Sequence, residues 1–262
     1  MIMLYSGTPG SGKSYHAARD ILARFRRGGG LICNFPVRAP AEMGVRPRKP
    51  LRVSYWDNSE ITPGRLIAYA ERYHQIGVEG QTLVIIDEAQ IIYNCRDGLG
   101  RQDKQLRMDW IKFFTQHRKL GYNILMIAQN DRMIDRQIRV LVETETKHRK
   151  LNNYGLGGAL LSLLSINSTW FVAIDKWYGG NNVKLGSQMI RYNRKVASVY
   201  DSYRTFDGAG ALGAAAADDP DIGLLFTNAA PAAPPIGPGP GSERGPEAEK
   251  MPPPDAGTAE NT

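Results

Sequence analysis

The sequence predicts a three-layer α/β domain with a mainly parallel central sheet. Two observations point there. Short apolar runs alternate with amphipathic stretches across residues 1–206, and a glycine-rich turn joins the first run to the first amphipathic stretch. A third observation bounds the domain. From residue 207 the chain turns to Ala, Gly, Pro and scattered charges, with too few large side chains to offset the entropy of ordering the backbone, so 207–262 reads as a disordered tail. About 200 residues remain, enough for one domain with a full core.

Taken in order, "MIMLYS" predicts a short buried strand and Lys13 to about Arg27 a helix. Tyr15, Ala18, Ile21, Leu22 and Phe25 lie at helical spacing there, and Gly28–Gly30 end it. "LICNF" predicts a second strand closed by Pro36, and the Pro- and Arg-rich stretch 38–50 a loop. "LRVSYW" follows as a third strand, then a helix over Ser59–Gln75 with Pro63 in its first turn. "TLVIID" is a continuous apolar run, as expected of a strand buried on both faces. Residues 91–103 read as a loop. Asp103–Leu120 predicts a helix with a stripe of Leu106, Trp110, Phe113, Phe114 and His117, capped by Gly121. "YNILMIAQ" is another central strand. "IDRQIRVLVETET" passes from helix to strand, "TWFVAID" is a further strand, and "VASVYDSY" a closing element.

The formal charge of +7 falls on the folded part, which suits nucleic acid, anionic lipid or a polyphosphate ligand without choosing among them. Cys33 and Cys95 have no His or Cys at metal-ligand spacing, so both read as reduced thiols in a cytosolic setting. The glycine motif begins at residue 7, which leaves no room for a signal peptide. Between Lys150 and Asp175 the chain is uncharged, but Asn152, Asn153, Asn167, Ser168 and Thr169 interrupt it. The expectation is a buried loop and strand, with a membrane hairpin as the alternative, because a span needs about 20 predominantly apolar residues.

Gly7-Thr8-Pro9-Gly10-Ser11-Gly12-Lys13-Ser14 fits G-x-x-x-x-G-K-[ST] between a predicted strand and a predicted helix. Such a loop turns its backbone N–H groups inward around phosphate oxygens, and the helix behind it adds its positive N-terminal end. Lys13 is then expected on the β- and γ-phosphates and Ser14 on Mg²⁺. The expected ligand is ATP with Mg²⁺, and the fold class is the P-loop NTPase domain. Asp87 and Glu88 close the apolar run 83–86 at the sheet edge where ligands bind. Asp87 is expected to hold the Mg²⁺ shell and Glu88 to polarise the attacking water. Gln129 ends "YNILMIAQ". If that strand lies beside the Asp87 strand, its amide reaches the γ-phosphate region. Among the basic residues at 117–119 and 132–139, Arg118 and Arg136 are the first choices for an arginine presented to a neighbouring subunit, which implies a homo-oligomer.

"GTPGSGKS", "IIDEAQ", "HRKLGYNILMIAQ", "MIDRQIRVLVE", "KHRK" and the later "WYGG…YNRKVASVYDSY" together resemble the N-terminal ATPase domain of the zonular occludens toxin family, over about residues 1–206. The same domain occurs in morphogenesis ATPases of filamentous phages. The resemblance implies an inner-membrane motor that hydrolyses ATP during virion assembly and extrusion, working on single-stranded DNA complexed with coat protein at the cytoplasmic face of the membrane. By position it carries Lys13, Ser14, Asp87, Glu88 and Gln129 into the site. Family members place a transmembrane helix after this domain, whereas the sequence beyond Gly208 contains no apolar span, so any membrane association would come from 151–175 or a partner. Two other readings stay open: a nucleotide-gated scaffold with little turnover, and a small-molecule P-loop kinase.

Overall fold

A computed structural model describes residues 1–94, 101–150, 169–179 and 183–200, together with the backbone of 224–226. Its strands are β1 (Ile2–Ser6), β2 (Gly29–Cys33), β3 (Leu51–Tyr55), β4 (Thr82–Ile86), β5 (Tyr122–Ala128), β6 (Thr144–Lys150), β7 (Trp170–Trp177), β8 (Val183–Arg191) and β9 (Leu224–Phe226). The helices are α1 (Lys13–Arg27), α2 (Pro63–Tyr73), α3 (Arg101–Gln116), α4 (Arg136–Arg139) and α5 (Arg194–Ala197). Among the described residues the strands form one nine-stranded sheet in the order β8-β7-β6-β1-β5-β4-β2-β3-β9. From β6 to β3 every pairing is parallel, while β7, β8 and β9 join antiparallel at the two edges.

The central strands are apolar on both faces because helices cover both. Leu4, Ile32, Val84, Ile86, Ile124 and Met126 point into one core with Leu66, Tyr69 and Ala70 of α2 and Trp110, Phe113 and Phe114 of α3. Their neighbours in sequence (Tyr5, Leu31, Cys33, Ile85, Leu125 and Ile127) point the other way, onto Ala17, Ala18, Ile21, Leu22 and Phe25 of α1. A period of two with apolar residues at both phases is the signature of a strand between two helical layers. The three-layer, mainly parallel architecture read from the sequence is the one observed.

Several boundaries differ for local reasons. The second strand begins at Gly29, because Gly29 N donates to Pro50 O at 2.7 Å and Gly30 N to Gln81 O at 2.9 Å. α2 starts at Pro63 rather than Ser59, since the Thr62 side chain caps it by accepting from Arg65 N. α3 stops at Gln116, short of Leu120. His117 packs inward, its Nδ1 2.5 Å from Phe114 O, so Gly121 (φ 86°) serves the turn into β5 instead of capping the helix. Leu106, expected in the buried stripe, is exposed. The strand β8 was not expected at all. Cys33 is a free thiol and buried, and burial pushes its pKa up; Cys95 lies outside the described residues.

The uncharged stretch before Asp175 also resolves in part. Residues 170–175 belong to β7, paired with β6 and β8, as the loop-and-strand reading expected. Residues 151–168, where the hairpin alternative falls, lie outside the described residues. Among the described residues no helix is long and apolar enough to cross a membrane. Within the stretch read as a disordered tail, the backbone of Leu224–Phe226 pairs with β3; the rest of 207–262 lies outside the described residues.

A buried polar cluster joins β1, α1 and β6 below the glycine-rich loop. His16 Nδ1 lies 2.9 Å from His148 Nε2, Tyr5 stacks on His16 with ring centroids 4.7 Å apart, and Tyr5 donates to Asp20 at 2.7 Å. Burial holds His16 down at about 3 and His148 at about 4, and raises the Asp20 carboxyl to about 6. The two histidines are neutral in the fold but protonate in the unfolded chain below about 6.5. Each therefore removes up to about 1.4 kcal/mol of stability per pH unit as pH falls toward 4. Asp20 acts in the opposite sense below about 6, where the fold holds its proton and the unfolded chain does not. Urea unfolding at pH 7 and pH 5 should show Asp20→Asn losing more stability on acidification than wild type; equal losses would mean that Asp20 is ionised in the fold.

Candidate active site

β1 and β4 both flank β5, with Ser6 opposite Ala128 and Ile86 opposite Met126. The three strands thus end together, and their C-terminal edge carries the Gly7–Ser14 loop, Gln129 and the Asp87–Glu88 pair. The conditional placement of Gln129 beside the Asp87 strand is met by this pairing. Gly7 N donates to Gln129 O at 3.3 Å, tying the loop entrance to the end of β5, and the Gln129 side chain is exposed at that edge.

The loop is crowded on its protein side. A Cβ on Gly7 would lie 2.5 Å from His148 O, and one on Gly12 would lie 2.6 Å from the Phe171 ring of β7. Gly12 is also the N-cap of α1 at φ 98°, a left-handed conformation that costs other residues about 1–2 kcal/mol. Lys13 folds its ammonium back over the loop, donating to Gly7 O at 2.7 Å and Thr8 O at 3.2 Å. Burial lowers the Lys13 pKa, opposed by the charges of Glu88 and Asp87. Ser11 Oγ is buried without a partner in the loop interior. An orphaned hydroxyl, a buried cation and glycines that admit no side chain are what a cradle for a polyanion requires.

The acidic turn is built by a residue that no motif indicated. Asn34, one residue past β2, uses its side chain as a short strand: Nδ2 donates to Asp87 O at 2.8 Å, and Asp87 N donates to Oδ1 at 2.7 Å. This extends the β2–β4 ladder by one residue and aims the Asp87 carboxylate across the edge. Asp87 Oδ1 accepts from Glu88 N at 2.9 Å. Among the described residues Glu88 is the one non-glycine with positive φ, at 48°. Backbone strain of this kind persists where the surroundings over-determine it, and it concentrates at functional sites. Gln90 Nε2 donates to Glu88 Oε2, fixing the side chain. Burial raises the Asp87 carboxyl despite hydrogen bonds from Tyr200 and Glu88 N.

Tyr200 is the second residue that sequence reasoning missed. Its hydroxyl donates to Asp87 Oδ2 beside the Ser14 side chain. It fell within the predicted closing element, but nothing in the pattern tied it to the loop. The donor set for a cation is hard oxygen, the Ser14 hydroxyl and the Asp87 carboxylate, which fits Mg²⁺ completed by phosphate and water. The suggested arginines lie elsewhere. Arg118 is ion-paired with Glu143, beside the start of β6 and the Met1 amino group, at the opposite end of the sheet from the loop. Arg136 is exposed at the start of α4, in the connection leaving β5.

The family model for Zonular occludens toxin (Zot) matches residues 1–206. The chain belongs to the Zot family. Solved structures similar to this Zot-family chain include the N-terminal domain of zonular occludens toxin from Neisseria meningitidis. It is 16% identical, covering 76% of this chain and 98% of that one, with a TM-score of 0.49. The genome packaging NTPase B204 of Sulfolobus turreted icosahedral virus 2, in complex with sulfate, is 12% identical. That likeness covers 73% of this chain and 95% of that one, with a TM-score of 0.41. EssC (ATPases 2 and 3) from Geobacillus thermodenitrificans is 14% identical, covering 55% of this chain and 31% of that one, with a TM-score of 0.35. No curated protein matches the sequence.

Two variants probe this geometry. Asn34→Leu leaves a buried N–H and C=O of Asp87 without partners, so thermal or urea unfolding should show a loss of about 2–5 kcal/mol; a loss under 1 kcal/mol would mean that the Asp87 backbone finds other partners. Gly12→Ala should lower the melting temperature, and by less in a Phe171→Ala background than in wild type, since the ring clash is then gone while the left-handed backbone remains. No loss from Gly12→Ala in that background would show that sterics alone select glycine there.

Proposed function

We propose that this Zot-family chain binds ATP with Mg²⁺ at Gly7–Ser14 and hydrolyses it. The observation that carries the reading is the Asp87–Glu88 turn: a strained backbone, held by Asn34, that sets two carboxylates at the sheet edge shared with the phosphate loop. Loop N–H groups and the start of α1 bind the phosphates. Lys13, already poised over the loop mouth, exchanges its hold on Gly7 O and Thr8 O for phosphate oxygens. Ser14 and Asp87 hold the metal, which when bound neutralises charge on the phosphates. Glu88, pinned by Gln90, orients and deprotonates the attacking water, and Gln129 faces the same space from β5.

Family membership supports a further step, in which turnover drives a motor for filamentous virion assembly and extrusion. On this reading subunits form a homo-oligomer at the cytoplasmic face of the inner membrane and act on coat protein and single-stranded DNA. Arg136, exposed beyond β5, is better placed than Arg118 to reach a neighbour's nucleotide, because Arg118 is engaged by Glu143.

Steady-state phosphate release and nucleotide binding by the full chain test the catalytic reading. Lys13→Ala should abolish nucleotide binding. Glu88→Gln should keep binding but lower turnover about 10²–10⁴-fold, the usual contribution of a positioned base. Tight binding by wild type with turnover at background, unchanged in Glu88→Gln, would reject hydrolysis in favour of a nucleotide-gated scaffold.

A further inference from the structure

Tyr200 sits between the two side chains to which the metal is assigned. Its hydroxyl donates to Asp87 Oδ2 and lies beside the Ser14 side chain, so its oxygen occupies the space between the two. Mg²⁺ coordinates oxygen at about 2.1 Å and keeps its own waters, so it needs the volume between a hydroxyl ligand and a nearby carboxylate. The phenol oxygen and a hydrated ion exclude one another there.

The way Tyr200 is mounted allows exchange without unfolding. Its backbone is fixed from behind: it forms a β-bridge with Val37, Arg38 N donates to Val199 O at 3.1 Å, and Val199 is fully buried. The ring meets Phe35 edge-on, with centroids 4.4 Å apart, and is half-buried. A backbone held in place with a side chain reaching forward moves by rotation about its own side-chain bonds. That motion breaks the hydrogen bond to Asp87 and one ring contact, leaving the ladder intact.

We propose that Tyr200 and the nucleotide's metal ion compete for the Asp87 carboxylate beside Ser14, so that Tyr200 holds that carboxylate before the metal enters and is displaced when it does. The inference rests on the Mg²⁺–nucleotide reading above. It adds a residue that couples metal loading to the segment packed against the buried side chains of Val37 and Phe35, remote from the phosphate loop in sequence. Phosphates bound without metal leave the tyrosine in place, because Lys13 and the loop do not use the Ser14–Asp87 gap.

The test is an electron paramagnetic resonance titration of Mn²⁺ onto the full chain with a non-hydrolysable ATP analogue, comparing wild type with Tyr200→Phe. Phenylalanine keeps the ring on Phe35 and removes only the competing oxygen. The variant should bind Mn²⁺ about 3–10-fold more tightly, with metal-free analogue affinity unchanged. Mn²⁺ should also give a near-ultraviolet tyrosine difference spectrum in wild type that is missing in Tyr200→Phe. Unchanged Mn²⁺ affinity, or weaker affinity with the analogue still bound, would overturn competition, the second because it would make Tyr200 a support of the metal site. Loss of analogue binding in the variant alone would overturn it too, since Tyr200 would then belong to the phosphate cradle. Wild-type protein that takes up no Mn²⁺ with the analogue would overturn this inference and the nucleotide reading together.

Discussion

The site depends on the two-sided ladder of β5. By pairing in parallel with β1 on one side and β4 on the other, β5 sets where both neighbours end. A slip of one residue would turn Leu125 and Ile127 toward the α2–α3 core and Ile124 and Met126 toward α1, inverting both packed faces. Register is thus enforced by the burial of apolar side chains on both sides of the sheet. The chemistry at the edge inherits that precision: Gly7 leaves β1 beside Gln129, and Asp87 leaves β4 within reach of the same space.

Around this frame the polar residues divide into two kinds. Asn34 substitutes its side-chain amide for backbone beside Asp87, where no regular ladder continues, and Gln90 holds the Glu88 carboxylate. His16, His148, Tyr5 and Asp20 instead fill the space beneath the loop with groups that satisfy one another, the two histidines in neutral form. Buried polar groups are costly unless paired, so each cluster rigidifies what it touches. The first kind shapes the acidic turn, and the second supports the floor on which the glycine loop rests.

Much of this was legible in the sequence, for identifiable reasons. "TLVIID" and "YNILMIAQ" are apolar at both phases of the strand period, which announces a strand between two layers, and Gly7–Ser14 announces the turn between β1 and α1. Asp87, Glu88 and Gln129 were legible because each directly follows such a run. Asn34 follows one too, but a single amide after "LIC" has no partner visible in the sequence, and its role exists only because β2 lies beside β4. Tyr200 was illegible for the same reason at greater range: 113 residues separate it from Asp87. β8 has five polar or glycine residues among nine and an exposed face, so its alternation is too weak to show. The early end of α3 hung on His117 turning inward beside the Met1 amino group, a contact between chain segments that periodicity cannot register.

The seating of Phe171 on Gly12 gives the molecule a directional mechanical link. A ring packed where no methyl group would fit resists compression steeply, because repulsion rises over tenths of an ångström, yet it offers only weak dispersion against being drawn apart. β7 therefore acts on the phosphate loop as a pushrod and not as a tether. Load pressing β7 inward meets the N-cap of α1 through this contact, whereas load lifting it away is carried by the ladder with β6 instead. Any force that reaches the loop by this route arrives with one sign.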